Sequence, residues 1–138
     1  MNDCLFCKIA QGEIPSSTVY EDNDFRVIMD ISPASEGHMI IIPKKHITNI
    51  YELDDVTATK IYVLAKKIAV AAKEELDCDG INILQNNGEA AGQTVFHFHM
   101  HIIPRYYGDE VNIKWEPLKS NNENLKELAN AIGEKIVL

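Results

Sequence analysis

Three histidines, His97, His99 and His101, occupy every second position of the run Thr94-Val95-Phe96-His97-Phe98-His99-Met100-His101-Ile102-Ile103-Pro104. An imidazole is largely neutral near pH 7 and serves as nucleophile, proton donor or metal ligand. Rich in β-branched and aromatic residues and bounded by Gly92 and Pro104, the run predicts a strand. Alternation would then set Val95, His97, His99, His101 and Ile103 on one face, with successive imidazoles roughly 6–7 Å apart. Phe96, Phe98, Met100 and Ile102 would form an apolar opposite face. Such a row suits successive sites on one substrate or metal better than a core. The competing reading is a surface strand with a polar solvent face.

The loop before the row, Asn86-Asn87-Gly88-Glu89-Ala90-Ala91-Gly92-Gln93, adds neutral donors. Asn86, Gln93 and Thr94 offer side-chain donors, and Gly88 and Gly92 let backbone N–H groups approach a ligand closely. That combination suits a phosphate; an ordinary turn would use the same Asn and Gly for their backbone angles. Asp30, in Asp30-Ile31-Ser32-Pro33, can accept from a ribose diol or bond its own backbone at a loop start. Cys4-x-x-Cys7 is half a zinc site, a redox pair or two buried thiols. No strand precedes Cys4, which disfavours a redox helix. His46 and one member of the histidine row would complete a Cys2His2 tetrahedron around zinc. Lys44 and Lys45 read as a solvated corner, and Cys78 as a small residue in a turn. Phe6, Ile9 and Phe25 are core by default, with some free to line a base pocket.

The elements that must position these groups follow from periodicity. Strands are predicted over Thr18–Tyr20 and Phe25–Asp30, joined by the turn at 21–24, and over His38–Ile42, stopped by Pro43. A helix is predicted from Asp55 to Leu76, capped by Asp54 or Asp55, with Ile61, Leu64, Ala65, Ile68, Ala71 and Ala72 at helical spacing. A strand at Ile81–Gln85 precedes the histidine strand, and a last helix spans about Asn122–Val137. Strands joined by tight turns, with one large helix, predict an α+β antiparallel sheet. There is no βαβαβ alternation and no Gly-x-Gly-x-x-Gly, which argues against a dinucleotide-binding fold.

Composition narrows the class. One domain fits 138 residues. A net charge of −8 argues against a nucleic-acid binder but leaves room for a single nucleotide. No apolar run reaches the ~18 residues of a membrane span. The first residues lack a signal-peptide pattern, and three cysteines, an odd number, fit a reducing compartment, so a cytoplasmic location is expected.

The stretch His97-Phe98-His99-Met100-His101-Ile102-Ile103 resembles the motif of the histidine triad (HIT) superfamily. The likeness extends to Asp30-Ile31-Ser32-Pro33, Ile42-Pro43-Lys44-Lys45-His46, Asn86 and Gly92-Gln93-Thr94, over about residues 4–105. It is strongest to the Hint-like nucleoside phosphoramidate hydrolases, in a zinc-carrying bacterial type. The resemblance implies a homodimer in which each subunit contributes a five-stranded antiparallel sheet, acting on a purine mononucleotide or nucleotide conjugate at its α-phosphorus. By position it implies that His99 is the nucleophile of a nucleotidyl-histidine intermediate and that His101 hydrogen-bonds the phosphate and leaving group. Asn86, Gly92, Gln93 and Thr94 would surround the phosphate, Asp30 the ribose, and Phe6, Ile9, Ile28 and Ile31 the base. A structural zinc would sit on Cys4, Cys7, His46 and His97, with no organic cofactor. The alternatives are a dinucleoside polyphosphate hydrolase, a nucleotide-binding regulatory module with vestigial catalysis, and a metalloenzyme using all three triad histidines. Residues 1–138 would form one unit, with 106–138, including Trp115 and the last helix, an extension that has no assigned counterpart.

Overall fold

Alternating burial along the central strands sets the layering. The computed structural model describes residues 3–138. Its strands are β1 (Thr18–Glu21), β2 (Phe25–Met29), β3 (Met39–Pro43), β4 (Gly80–Leu84) and β5 (Met100–Arg105). They form one antiparallel sheet in the order β1-β2-β3-β5-β4. One sheet face carries Phe25, Val27, Met39, Ile41, Met100 and Ile102. Against it lies α2 (Asp55–Leu76), which buries Ile61, Ala65, Ile68 and Ala72. Each fully buried isoleucine there contributes about 1.5–3 kcal/mol. Asp54 caps α2 by accepting from the Thr57 N–H at 3.0 Å, and these bonds hold its carboxyl down at about 2. The helix ends at Asp77 in the left-handed region, at φ 48°.

The opposite sheet face carries Ile28, Ile40 and Ile42, and across these lies α1 (Leu5–Ala10) through Phe6, Ile9 and Ala10. The sequence gives no periodic signal for α1, because six residues are too few to show one; packing and its cap stabilise it. Cys4 is that cap: its sulfur accepts from the Cys7 N–H at 3.3 Å. The last helix, α3 (Asn122–Lys135), is capped by Asn121 and has no buried residue. Among the described residues no helix is long and apolar enough to cross a membrane.

The five-stranded antiparallel sheet and the long helix match expectation, with strand ends shifted by a residue or so. The histidine strand differs more. Pairing begins only at Met100, so His97 and His99 precede β5 instead of lying in it. The physical reason is the reach of the neighbour. β3 pairs with β5 only over Met39–Ile41, and beyond it the Phe98 N–H turns to the Ile47 carbonyl. Alternation persists at Phe98, Met100 and Ile102, which are buried. It fails at Phe96, which is 50% exposed and not part of an apolar face.

Candidate active site and metal centre

The triad and the apolar cluster share one sheet face. His101 pairs in register with Ile40 on one side and Leu84 on the other, which directs its side chain to the α1 face. His99 and His101 have ring centroids 5.0 Å apart. Phe6 of α1 meets His99 edge to face at 4.8 Å. The helix that caps itself with Cys4 therefore also seats a wall against the central imidazole.

Hydrogen bonds fix the tautomers. His99 Nδ1 lies 2.6 Å from the His97 carbonyl oxygen. A carbonyl only accepts, so Nδ1 carries the proton and Nε2 keeps its lone pair. Burial pushes the His99 pKa below its ordinary value, opposed by the His97 carbonyl and Asp30, which keeps the ring neutral near pH 7.

His101 is fixed by a residue to which the sequence assigns only a place at the head of a strand. The Ala34 N–H donates to His38 Nδ1 at 2.9 Å, so the His38 proton sits on Nε2. That Nε2 lies 2.9 Å from His101 Nδ1 and donates to it. His101 Nδ1 is thereby an acceptor and its Nε2 carries the proton, so a donor stands beside the His99 lone pair. Burial, reinforced by His99 and His38, pushes His101 down to about 4. The clue in the sequence is that His38 stands two residues before Ile40, on the same face, and Ile40 pairs with His101.

Asp30 is shared. Its Oδ1 accepts from the Ser32 N–H at 2.8 Å, the self-bonding turn, while Oδ2 lies 3.5 Å from His38 Nε2. Phe6, Ile9 and Ile28 are buried in the small cluster under α1. Ile31 is 96% exposed, on the open surface rather than in a formed pocket wall.

The loop at 86–93 is placed as expected but bonded otherwise. It forms a 3-10 turn over Glu89–Ala91 between Gly88 and Gly92, both at positive φ. Gln93 is nearly buried, and its side chain is committed to the loop itself. Its Nε2 donates to the Thr48 and Val95 carbonyls at 2.8 and 3.1 Å, and its Oε1 accepts from the Gly88 N–H at 2.7 Å. The expectation of a free amide donor at Gln93 is corrected: backbone groups that would otherwise be buried unpaired claim both its donors and its acceptor. Asn86 makes only a long 3.5 Å contact to the Gly92 carbonyl, and Thr94 is exposed, so these two remain accessible.

On the other side of His99 lie Cys4, Cys7, His46 and His97, whose ligand atoms all fall within 4.8 Å of one another. Cys4 Sγ is 3.3 Å from His97 Nδ1; Cys7 Sγ is 3.3 Å from His46 Nδ1 and 3.4 Å from His97 Nδ1. The edges of a Zn(Cys)2(His)2 tetrahedron are about 3.3–3.8 Å, so the set fits such an ion. His97 is pre-oriented for it: Nε2–H donates to the Pro43 carbonyl at 2.8 Å and leaves Nδ1 free to ligate. Burial, assisted by His46 and His99, pushes the His97 pKa down to about 4, again favouring the ligating form.

Known proteins are similar to this chain in sequence and fold. The chain is 44% identical to the Bacillus subtilis (strain 168) protein named Protein hit, over 97% of this chain and 94% of that one. It is 38% identical to adenosine 5′-monophosphoramidase hnt1 of Schizosaccharomyces pombe, over 96% and 98%. Among solved structures, a HIT family member from Bacillus subtilis superimposes with TM-score 0.92 at 43% identity, covering 99% of both chains. A zinc-bound histidine triad family protein from Mycobacterium smegmatis superimposes with TM-score 0.77 at 37% identity, covering 96% of each. The profile of the HIT domain matches residues 11–108, which hold the whole sheet, His38, His46 and all three triad histidines. The chain belongs to the HIT domain family, and with it to the nucleotide hydrolases.

Proposed function

We propose that the protein is a Hint-like hydrolase or transferase of purine nucleoside 5′-phosphoramidates, acting through a nucleotidyl-His99 intermediate. The observation that carries this reading is the pair of fixed tautomers: a bare Nε2 on His99 beside a protonated Nε2 on His101. In the first step the His99 Nε2 lone pair forms a bond to the α-phosphorus while the P–N bond to the amine breaks. The departing amine takes its proton from a water that the His101 Nε2–H orients, and His101 stays neutral. In the second step the hydroxide left by that water attacks the same phosphorus and the P–N bond to His99 breaks. The Ala91, Gly92 and Gln93 N–H groups close the loop's own turn on the Gly88 and Glu89 carbonyls, so Gly92 supplies room rather than a donor. The side chains of Asn86 and Thr94 are the groups assigned to the charged phosphate oxygens; one well-placed donor of this kind is worth roughly 3–4 kcal/mol. Asp30 is assigned to the ribose hydroxyls, and Phe6, Ile9 and Ile28 to the base, with Ile31 closing over it from its exposed position. The similarity to a monophosphoramidase supports the substrate class.

Cys4, Cys7, His46 and His97 are assigned to one structural zinc ion, as in the zinc-carrying bacterial type. Bound there, such an ion would cross-link α1, the segment after β3 and the start of the triad, leaving the remaining triad histidines for substrate. The free cysteines favour a reducing, cytoplasmic location. We read the chain as one HIT-type unit with a body of about residues 4–105 and an extension beyond. A homodimer is supported by Tyr62 and Val70 of α2, both exposed, and by Ile83 on edge strand β4 beside them.

The test is a comparison of kcat/KM for adenosine 5′-phosphoramidate and for diadenosine polyphosphates. Faster cleavage of the phosphoramidate is expected. Preference for the polyphosphates assigns the dinucleoside branch, and tight nucleotide binding without turnover assigns a binding module.

A further inference from the structure

Helix α3 carries an apolar stripe that its own chain leaves open. At 100° per residue, Leu125, Leu128, Ala129 and Ile132 fall on one side of the helix, and Ile136 follows directly after its last turn. Glu123, Glu127 and Glu134 fall on the opposite side, and Lys126 and Lys135 flank the stripe. Leu125, Leu128, Ile132 and Ile136 are 51–63% exposed. Residues 110–121, which lead to α3, form no helix or strand and expose Trp115 and Leu118. Polar residues would solvate a free helix far better than this pattern does.

The arm position recurs. Residues 110–138 are about a fifth of the chain. Each matched residue adds at most its own share to a TM-score, so 0.92 over nearly the whole length requires the arm to superimpose along with the body. The Bacillus subtilis crystal structure therefore holds its arm in the same extended place, clear of its own sheet, which calls for a support outside the chain.

The body offers a matching seat. Between α2 and the edge of the sheet lie two adjoining cavities of about 630 and 330 Å³, which share Val19, Ile68 and Ala71. Together they make one apolar groove floored by Phe25, Val63, Met39 and Leu76. The groove follows α2 from Thr59 to Leu76, about 25 Å, and α3 with 14 residues is about 21 Å long. Its ends carry acidic groups, Asp22 and Asp24 at one and Glu75 at the other; Asp22 accepts from the Tyr20 hydroxyl and two backbone N–H groups, which leaves Glu75 to meet a lysine flanking the stripe. Of the groove's own cations, Lys60 is paired with Asp24 at 3.1 Å and Lys67 lies between the ends.

We infer that the arm is exchanged: α3 of each copy seats its Leu125–Ile136 stripe in the α2–β1 groove of a second copy of this chain. Reciprocal exchange fills both grooves and both stripes about one two-fold axis and closes the assembly at two. Two measurements test this. A photo-reactive benzophenone side chain at position 128 is expected to give covalent dimers, with the adduct mapped to Val19–Phe25 or Thr59–Ala71. An adduct within the same chain, on any other surface, or none at all overturns the inference. The double variant Leu128→Asp, Ile132→Asp removes no buried residue, so the body folds. Its dimer dissociation constant is expected to weaken at least tenfold by sedimentation, and an unchanged constant overturns arm exchange. Either failure leaves the phosphoramidase reading standing, because the groove lies on the sheet face away from His99.

Discussion

His38 decides what His101 can do. The Ala34 N–H sets the His38 tautomer, and His38 sets that of His101, so the chain of two bonds leaves a donor on His101 Nε2, which the proposed mechanism turns to the leaving group. His38→Ala frees His101 to carry its proton on Nδ1. The expected result is a roughly 10–100-fold fall in kcat with KM nearly unchanged. Nitrogen chemical shifts of His101 should move toward a tautomer mixture, and His38→Gln, which keeps a donor, should recover part of the rate. An unchanged tautomer would remove His38 from the mechanism. The pH behaviour has a definite sign. His99 is held below its ordinary pKa, chiefly by burial, so the acid limb of kcat/KM should lie below pH 6.5 with a flat region above 7. A limb centred at or above 6.5 would contradict the neutral nucleophile. Stability follows the same sign. His101 is lowered to about 4, so between the unfolded value near 6.5 and about 4 the unfolded chain binds the proton and the folded chain does not. Stability should thus be full above pH 6.5 and be lost toward pH 4, at up to ~1.4 kcal/mol per pH unit for this group. Urea melts across pH 4–7 measure it.

The loop before β3 and the helix α1 are the elements that hold these residues. Gly37, just before His38, has φ +90°, and a Cβ there would run into Leu76 and stand 3.3 Å from Pro104. Ser35 and Tyr106 tie the same loop to the end of β5. Gly37→Ala should cost about 1–3 kcal/mol in a urea titration, more than Gly88→Ala, where the space is open and only the backbone angle is strained. If the metal centre is structural, Cys7→Ser or a chelator lowers the melting temperature and loosens α1, and activity declines with it because Phe6 leaves His99. Loss of a zinc ligand of this kind is expected to cost about 3 kcal/mol or more. Turnover abolished at an unchanged melting temperature would instead give the ion a role on the substrate. The long helix was legible to the residue, because a cap at Asp54 and a stripe from Ile61 to Ala72 are local signals. So were the strands, within a residue or so. The late start of β5 was not, since it depends on where β3 stops pairing. Helix α1 was too short to announce itself. Gln93 has the composition of a phosphate donor, and only the fold reveals the backbone groups that claim it.

At the scale of the whole molecule, an acidic chain builds a site for an anion from neutral donors and imidazoles instead of a basic field. Two cysteines and two histidines whose spacing fits a metal ion lie at one end of the triad, and the proposed chemistry falls to the other two histidines. The arm carries the remaining apolar surface outward, toward a second copy. In the proposed mechanism the row of three imidazoles divides into an anchor, a nucleophile and a donor, a division that follows from the different neighbours on each side. The measurement that bears on this most directly is rapid acid-free quenching during turnover of adenosine 5′-phosphoramidate, followed by peptide mapping. A nucleotidyl group on His99, absent from His99→Ala, is the predicted result. Turnover with no adduct on His99, or with the adduct on His101 or on a cysteine, would contradict the account.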